Sequence, residues 1–204
     1  MKNKIIAVIG AGGKTTLIHR LAEEYRRKGA SVLVSTTTHM LVEPDTDLSC
    51  DSFAIMEKIK KTGYCMAGAV CLENSAKMQS LPEQMLHDLM KQVDYALIEA
   101  DGAKHYALKY PSEQEPVIPE GTTDVILVLG LWDLGKPCKD VVFRFEHMTS
   151  ALGISGDMKA DKQILQQIQR AYEEKLKNMD YHGRFHVLLS EKTDQGLMFH
   201  TLEE

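Results

Sequence analysis

The chain has 204 residues, 44% of them hydrophobic and 26% charged, a composition ordinary for one globular domain. Its formal net charge of −5 argues against nucleic-acid binding, which requires a broad basic field. No apolar run approaches the length of a membrane span, and the first residues lack the regions of a signal peptide. We therefore expect a single domain over residues 1–204, located in the cytoplasm, with neither nucleic acid nor membrane as a partner.

A glycine-rich segment between a predicted strand and a predicted helix is the most informative feature of the chain. Apolar residues 4–9 predict the strand, and the helix is predicted from about Thr15 to Lys28. In such a loop, glycines let backbone N–H groups converge on a polyphosphate, and the helix N-terminus adds partial positive charge. The candidate phosphate-binding residues are Gly10, Ala11, Gly12, Gly13, Lys14, Thr15 and Thr16.

Within this loop, Lys14 and Thr15 carry the chemistry. A lysine at this position reaches the outer phosphates, and the hydroxyl that follows it is placed to bind Mg²⁺. Val8 stands where the first glycine of the usual Gly-x-x-x-x-Gly-Lys-Thr would fall. The shorter Gly-x-x-Gly-Lys-Thr resembles the loop of Mur-type ATP-dependent ligases more than that of small GTPases. We predict ATP or GTP as the ligand, against the alternative of a purely structural turn.

Strand and helix patterns alternate along the rest of the chain. Further strands are predicted at 31–35, 64–72, 94–98, 125–129 and 185–189, and helices at 52–62, after a capping box at Ser80–Glu83, and at about 159–179. Alternation of this kind implies βαβ units. The predicted fold is therefore α/β, a P-loop NTPase-like open and mainly parallel sheet with helices on both faces. Residues 102–123 are predicted to form a long loop or insertion.

Two carboxylates follow the strand predicted at 94–98. P-loop proteins need an acidic group at the end of a neighbouring strand to hold Mg²⁺ or its waters, and both Glu99 and Asp101 qualify. One is expected to meet the metal, while the other orients an attacking water or caps the next turn. Gly102 is placed to offer its backbone N–H to a γ-phosphate. The alternative interpretation is an ordinary Asp-Gly turn.

Three further side chains are candidates for the same site. His39 closes the polar cluster that follows the strand at 31–35, at the strand end where ligands bind in open α/β sheets. Either His39 or Asp101 is predicted to orient the nucleophile. Lys104 and Lys109 either neutralise phosphates and hold an anionic second substrate, or are lone surface cations.

The four cysteines contain no Cys-x-x-Cys pair, so they indicate reduced thiols rather than a metal or redox motif. Cys65 and Cys71 lie in or beside a predicted strand, where thiols usually behave as small apolar groups. The alternative function for them is redox or selenium handling.

Several of these segments together resemble the YqeC-like family, accessory proteins of selenium-dependent molybdenum hydroxylases. The matching blocks, in family order, are Val8–Thr16, Thr36–Met40, Glu99–Lys104, Leu108–Lys109, Glu115–Pro119, Gly130–Leu131 and Leu134–Pro137. The resemblance covers about residues 5–145. It implies a nucleotide-binding role in the maturation of a selenium-dependent molybdenum enzyme, with that enzyme or its maturation machinery as the protein partner.

The C-terminal part matches the family less well. Family members often carry an Asn-Lys-x-Asp-like element after a late strand, where the aspartate pairs with a purine base. Here Lys192 and Asp194 match, but Glu191 stands in place of the asparagine and cannot donate its amide hydrogen bonds. The alternative is a solvated turn after the strand. Trp132 either stacks on a base or pterin or is a packing residue.

The sequence thus favours a slow Mg²⁺-dependent NTPase. Lys14 and the loop backbone hold the phosphates, and Thr15 with Glu99 or Asp101 holds Mg²⁺. Two alternatives remain open: phosphoryl or nucleotidyl transfer to a small acceptor or cofactor, and a non-catalytic scaffold or cofactor carrier switched by nucleotide.

Overall fold

A computed structural model describes residues 3–201, which contain six helices and twelve strands. The helices are α1 Lys14–Arg27, α2 Ser52–Thr62, α3 Glu83–Lys91, α4 Cys138–Val141, α5 Phe145–Leu152 and α6 Lys162–Asn178. The strands are β1 Lys4–Gly10, β2 Val32–Thr36, β3 His39–Leu41, β4 Tyr64–Met66, β5 Ala69–Val70, β6 Lys77–Gln79, β7 Tyr95–Glu99, β8 Leu108–Lys109, β9 Asp124–Gly130, β10 Val142–Phe143, β11 Arg184–Thr193 and β12 Gly196–Thr201. No helix in residues 3–201 is long and apolar enough to cross a membrane.

Seven strands form the main sheet, in the order β12-β11-β9-β1-β7-β2-β4. β7 pairs in parallel with both β1 and β2, and β2 pairs in parallel with β4. The antiparallel β11–β12 hairpin ends the sheet on the other side. Every residue of β2 is buried, as expected of a parallel strand covered on both faces. The α/β class and the mainly parallel sheet predicted from the sequence are confirmed.

The chain divides into two compact units. The first comprises residues 3–8, 15–102 and 117–124, and the second comprises residues 9–14, 103–116 and 125–201. A core of aliphatic and sulfur-containing side chains from β1, β2, α2, α3 and β7 stabilises the first unit. In the second unit, the buried face of α6 includes Leu165, Ile168, Tyr172 and Leu176. Met179 lies beyond the helix end and is 40% exposed.

Local capping explains where two of the helices begin. The Asp51 side chain accepts from the N–H groups of Phe53 and Ala54 at the start of α2, and Asp161 accepts from Ile164 at the start of α6. The capping box predicted at Ser80–Glu83 is wrong. The Ser80 hydroxyl donates to the carbonyl of Leu81, and α3 begins after Pro82 without a side-chain cap.

The single strand predicted at 64–72 is also wrong. β4 ends at Met66, and β5 belongs to a separate three-stranded sheet with the order β3-β6-β5. The break falls at Gly68, where an added Cβ would lie 2.6 Å from the Met78 sulfur and 2.9 Å from the Gln79 carbonyl. The backbone passes β6 too closely there for the regular strand to continue.

Candidate functional site

The loop between β1 and α1 is shaped by glycine. Gly10, Gly12 and Gly13 have φ values of +89°, +83° and +111°, a region that L-residues rarely adopt. A Cβ on Gly12 would lie 2.4 Å from the Gly130 nitrogen and 2.9 Å from the Ala107 carbonyl oxygen. The sequence of this loop is therefore set by close backbone packing as well as by any ligand.

Two N–H groups of the loop bind carbonyl groups of the protein itself. The N–H of Ala11 donates to Val128 at 2.9 Å, and the N–H of Gly12 donates to Tyr106 at 3.2 Å. The amides of Thr15 and Thr16, in the first turn of α1, have no carbonyl four residues earlier within the helix. That turn also carries no acidic residue to offset the partial positive charge of the helix N-terminus. The first turn of α1 is therefore the part of this segment best suited to bind an anion.

Lys14 lies over the loop that it follows. Its side chain is buried, and its Nζ donates to the carbonyl of Gly10 at 2.8 Å. The Gly10 carbonyl gives this buried ammonium a hydrogen-bond acceptor in place of water. The predicted phosphate-binding lysine is thus already folded back toward the glycines.

Thr15 and Glu99 meet although 84 residues separate them. The Thr15 Oγ1 donates to Glu99 Oε2 at 2.8 Å, and Glu99 is only 7% exposed. The parallel pairing of β1 with β7 sets Val8 opposite Glu99, so the carboxylate stands at the carboxyl end of both strands. A hydroxyl and a carboxylate are oxygen ligands of the kind that Mg²⁺ prefers.

Within residues 3–201, no group of three or more His, Cys, Asp or Glu side chains is placed to hold a metal ion. A cation at Thr15 and Glu99 would therefore need further oxygens from phosphates and water. Mg²⁺ usually binds in this way, with one or two carboxylates and several waters. The donor set fits Mg²⁺ and does not fit zinc, which needs a nearly complete set of protein ligands.

Polar residues at and after the end of β2 form hydrogen bonds to the end of β7. Thr36 Oγ1 donates to the carbonyl of Glu99 at 2.8 Å, and the N–H of Thr37 reaches the same carbonyl at 3.2 Å. Asp101, two residues further along, is completely buried. His39 is instead the exposed first residue of β3, opposite Gln79. Its predicted part in orienting a nucleophile remains a prediction.

The two lysines after Gly102 differ in environment. Lys104 is exposed, in the turn that directly follows Gly102 and Ala103. Lys109 on β8 is completely buried, and its Nζ donates to Glu115 Oε2 at 2.6 Å. Lys109 is therefore not a lone surface cation, because its charge is held inside the second unit by a carboxylate.

The prediction that the late strand ends before Ser190 is wrong. β11 continues to Thr193 because it pairs with β12 from Leu188 opposite Thr201 to Thr193 opposite Gly196. Lys192 consequently lies in a strand, with its Nζ 4.5 Å from the centroid of the Trp132 ring, and Asp194 lies in the hairpin turn. The structure places Lys192 and Asp194 in this hairpin, and their predicted part in binding a purine base remains a prediction.

Sequence reasoning missed the part that this hairpin plays at the glycine loop. The Ser190 hydroxyl donates to the carbonyl of Gly12. A Cβ on Gly13 would lie 2.5 Å from Leu197 Cδ1 and 3.6 Å from Phe199 Cζ. The alternation of apolar Leu197 and Phe199 after a glycine was a usable hairpin signal.

Burial raises the pKa of Cys65 to about 11, and it also raises the pKa of Cys138. The reactive species is the thiolate, and a thiol with this pKa is only roughly 0.1% ionised at pH 8. We expect iodoacetamide at pH 8 to label the half-buried Cys50 well before Cys65, which is fully buried, with labelling of Cys65 increasing as the pH rises toward 11. Peptide mass spectrometry measures both rates, with urea-unfolded protein as the control. Equal rates in the folded protein would contradict the core-filling role of Cys65.

The fold and the site define an α/β protein with a glycine-rich strand–loop–helix segment and an acidic residue at the end of the neighbouring parallel strand. The chain belongs to the YqeC family, since the family profile described as YqeC protein matches residues 6–146. It is 34% identical over 161 residues to a protein of Escherichia coli (strain K12) described as "Uncharacterized protein YqeC". That match covers 75% of this chain and 62% of the relative, so the chain spans less than two thirds of the relative's length. No solved structure matches the chain.

Proposed function

We propose that this protein is a P-loop, Mg²⁺-dependent NTPase that assists the maturation of a selenium-dependent molybdenum hydroxylase. The observation that carries the nucleotide-binding part is the 2.8 Å hydrogen bond between Thr15 and Glu99, beside a lysine folded over a glycine loop. A hydroxyl directly after such a lysine, paired with an acidic strand end, is the arrangement by which P-loop enzymes hold Mg²⁺ and phosphates. The maturation context follows from the family resemblance, and it implies a protein partner.

Each residue of the proposed site has a role. Lys14 and the N–H groups at the start of α1 bind the outer phosphates, and Thr15 with Glu99 holds Mg²⁺. The bound Mg²⁺ supplies neutralisation of the phosphate charge. Asp101, buried just after β7, orients the attacking water. Positioning and charge neutralisation account for most of the catalysis in this class of reaction.

The proposal is tested first by titrating ATP, GTP and CTP into the protein by calorimetry, each with Mg²⁺ and with EDTA. We expect one of ATP and GTP to bind with Mg²⁺, to raise the thermal unfolding temperature and to be hydrolysed slowly. Absence of binding by all three nucleotides to folded protein would overturn the proposal.

The Glu99→Gln variant tests the metal ligand separately from the fold. Glutamine keeps an oxygen that accepts the hydrogen bond of Thr15 but removes the charge. We expect the affinity for nucleotide in Mg²⁺ to fall about 10- to 100-fold, as for other changes at metal sites. In EDTA, the variant and the wild type should bind nucleotide alike. Glu73→Gln, an exposed site with the same charge change, is the matched control. A loss of equal size in EDTA would show that Glu99 acts structurally and not on Mg²⁺.

One observation favours the second candidate function, transfer of a phosphoryl or nucleotidyl group to a small acceptor. The turn that carries Lys104 is hydrogen-bonded to the glycine loop, through the Gly12 N–H and the Tyr106 carbonyl at 3.2 Å. A cation beside a phosphate-binding loop suits an anionic acceptor. Release of ADP or pyrophosphate that depends on an added acceptor would support transfer, and turnover that no acceptor changes would support hydrolysis.

A further inference from the structure

The buried side chain of Ser190 contacts the backbone of the glycine loop. Ser190 lies on β11 and is completely buried, and its hydroxyl donates to the carbonyl of Gly12 although 178 residues separate them. The Leu129 carbonyl, at 3.4 Å, is further from the hydroxyl, so the single hydroxyl hydrogen goes to Gly12. Ser190 is itself held in place, because its own carbonyl accepts from the N–H of Leu131 at 2.9 Å.

The contact with the Gly12 carbonyl also sets the direction of the next N–H group. In a planar trans peptide, the C=O of one residue and the N–H of the next point in opposite directions. Since Ser190 holds the Gly12 carbonyl on the side of β11, the N–H of Gly13 faces away from β11. The two preceding N–H groups, of Ala11 and Gly12, already donate to carbonyls elsewhere in the second unit. The Gly13 N–H is thus the next donor along the loop, directly before α1 begins at Lys14.

The backbone by itself does not decide the orientation of the Gly12–Gly13 peptide. A peptide reverses its direction when ψ of the first residue and φ of the second both rotate by half a turn. Reversal would take φ of Gly13 from +111° to a negative value, and glycine adopts both signs of φ about equally readily. Two consecutive glycines therefore leave the orientation to hydrogen bonds, and the Ser190 hydroxyl makes one of them.

We infer that Ser190 is a positioning residue of the glycine loop, whose hydroxyl keeps the Gly13 N–H directed at a phosphate oxygen. This inference rests on the proposed function, because it requires that a polyphosphate binds at the loop. Without the hydroxyl, the peptide would be able to reverse, and the Gly12 carbonyl oxygen would then face the anion and repel it. Ser190 lies outside residues 6–146, the part of the chain that the family profile matches. The C-terminal hairpin thereby contributes to the site.

Inorganic tripolyphosphate is the probe for this role, because it carries the phosphates of a nucleotide without the base. It is titrated by calorimetry, in Mg²⁺, into wild type and Ser190→Ala. We expect the variant to bind at least about tenfold more weakly, as for the loss of a charged hydrogen bond. Ser190→Thr keeps a hydroxyl and places a residue suited to strands on β11, so it should restore most of the affinity.

Ser35→Ala is the matched control for Ser190→Ala. Ser35, on β2, is also completely buried, and its hydroxyl donates to the Ala67 carbonyl at 2.8 Å. The two alanine variants therefore lose the same kind of hydrogen bond, and urea denaturation should show comparable losses of stability. Only Ser190→Ala should lose affinity for tripolyphosphate.

Two further readouts report on the Gly12–Gly13 peptide directly. In isotopically labelled wild type and Ser35→Ala, tripolyphosphate should shift the nuclear magnetic resonance of the Gly13 amide proton downfield, because the N–H donates to a charged oxygen. In Ser190→Ala this shift should be much smaller. A crystal structure of ligand-free Ser190→Ala should show the peptide reversed or in both orientations.

Equal tripolyphosphate affinity in wild type and Ser190→Ala, equal losses in Ser190→Ala and Ser35→Ala, or an unreversed peptide in the Ser190→Ala crystals would each overturn the inference. Nucleotide titrations of the same proteins separate it from the proposed function. If nucleotide binds wild type and Ser190→Ala equally well, the positioning role alone is wrong. If tripolyphosphate affinity depends on Ser190 but no nucleotide binds, the positioning role stands and the proposed NTPase function is wrong. If folded wild type binds neither, both are wrong.

Discussion

Replacing Lys14 with alanine should greatly weaken Mg²⁺-dependent nucleotide binding while the protein remains folded. The Lys14 ammonium is buried over the glycine loop, 2.8 Å from the Gly10 carbonyl, where it can meet the outer phosphates without reorganisation. A charged hydrogen bond is worth ~1.5–3 kcal/mol, and a fixed ammonium makes more than one to a polyphosphate. We therefore expect the affinity to fall by at least about 100-fold.

Calorimetry with the preferred nucleotide measures this loss, and the rise in unfolding temperature at saturating nucleotide gives a second measure. Because Lys14 is only 5% exposed, alanine also leaves unfilled volume. Lys14→Met is the matched control, since methionine fills much of that volume but carries no charge. Equal loss of affinity in both variants assigns the effect to the ammonium. Wild-type affinity in Lys14→Met would mean that the lysine serves packing and that the loop binds phosphate through its backbone alone.

The features predicted correctly from the sequence depend on local patterns. α2 was predicted at 52–62 and is observed at Ser52–Thr62, because Asp51 caps it and Gly63 ends it in the left-handed conformation. β9, predicted at 125–129, is observed at Asp124–Gly130. A short, continuous apolar run bounded by polar residues is typical of a buried strand. The first strand and the glycine loop were likewise predicted from local sequence patterns.

The partnership of Thr15 with Glu99 was predictable for a different reason. In a mainly parallel sheet, the carboxyl ends of the strands meet at one edge, so a residue after β1 and a residue at the end of β7 come close whatever their separation in sequence. The same reasoning fails for His39. The chain leaves the main sheet after Thr36 and enters the small sheet of β3, which carries His39 to an exposed position.

The missed features depend on contacts between distant segments. The sequence around Lys109 does not show that it is buried, because the Glu115 carboxylate that holds it also contacts Arg144, which comes from a later part of the chain. Likewise, β11 extends past Ser190 only because β12 returns to pair with it. Local composition describes a polar Ser-Glu-Lys-Thr segment as a turn, and strand pairing overrides that preference.

Gly12→Ala should destabilise the fold much more than a methyl group added to a glycine in an exposed turn. The methyl would lie 2.4 Å from the Gly130 nitrogen and 2.6 Å from its Cα, both backbone atoms that cannot rotate away. The positive φ adds strain of ~1 kcal/mol, and overpacking adds ~1–3 kcal/mol. We expect the free energy of unfolding to fall by about 3 kcal/mol, measured by urea denaturation with an unchanged m-value.

Gly29→Ala is the matched control for this prediction. Gly29 has nearly the same φ as Gly12, +80° against +83°, but nothing lies within 4 Å of an added Cβ. Its substitution should therefore cost only the conformational strain, about 1 kcal/mol, and should leave nucleotide binding intact. The difference between the two variants measures how tightly the glycine loop packs against Gly130 and Ala107. Equal losses would mean that the backbone around Gly130 yields to the methyl group. The loop would then be a soft segment, and its glycines would be needed for their φ angles alone.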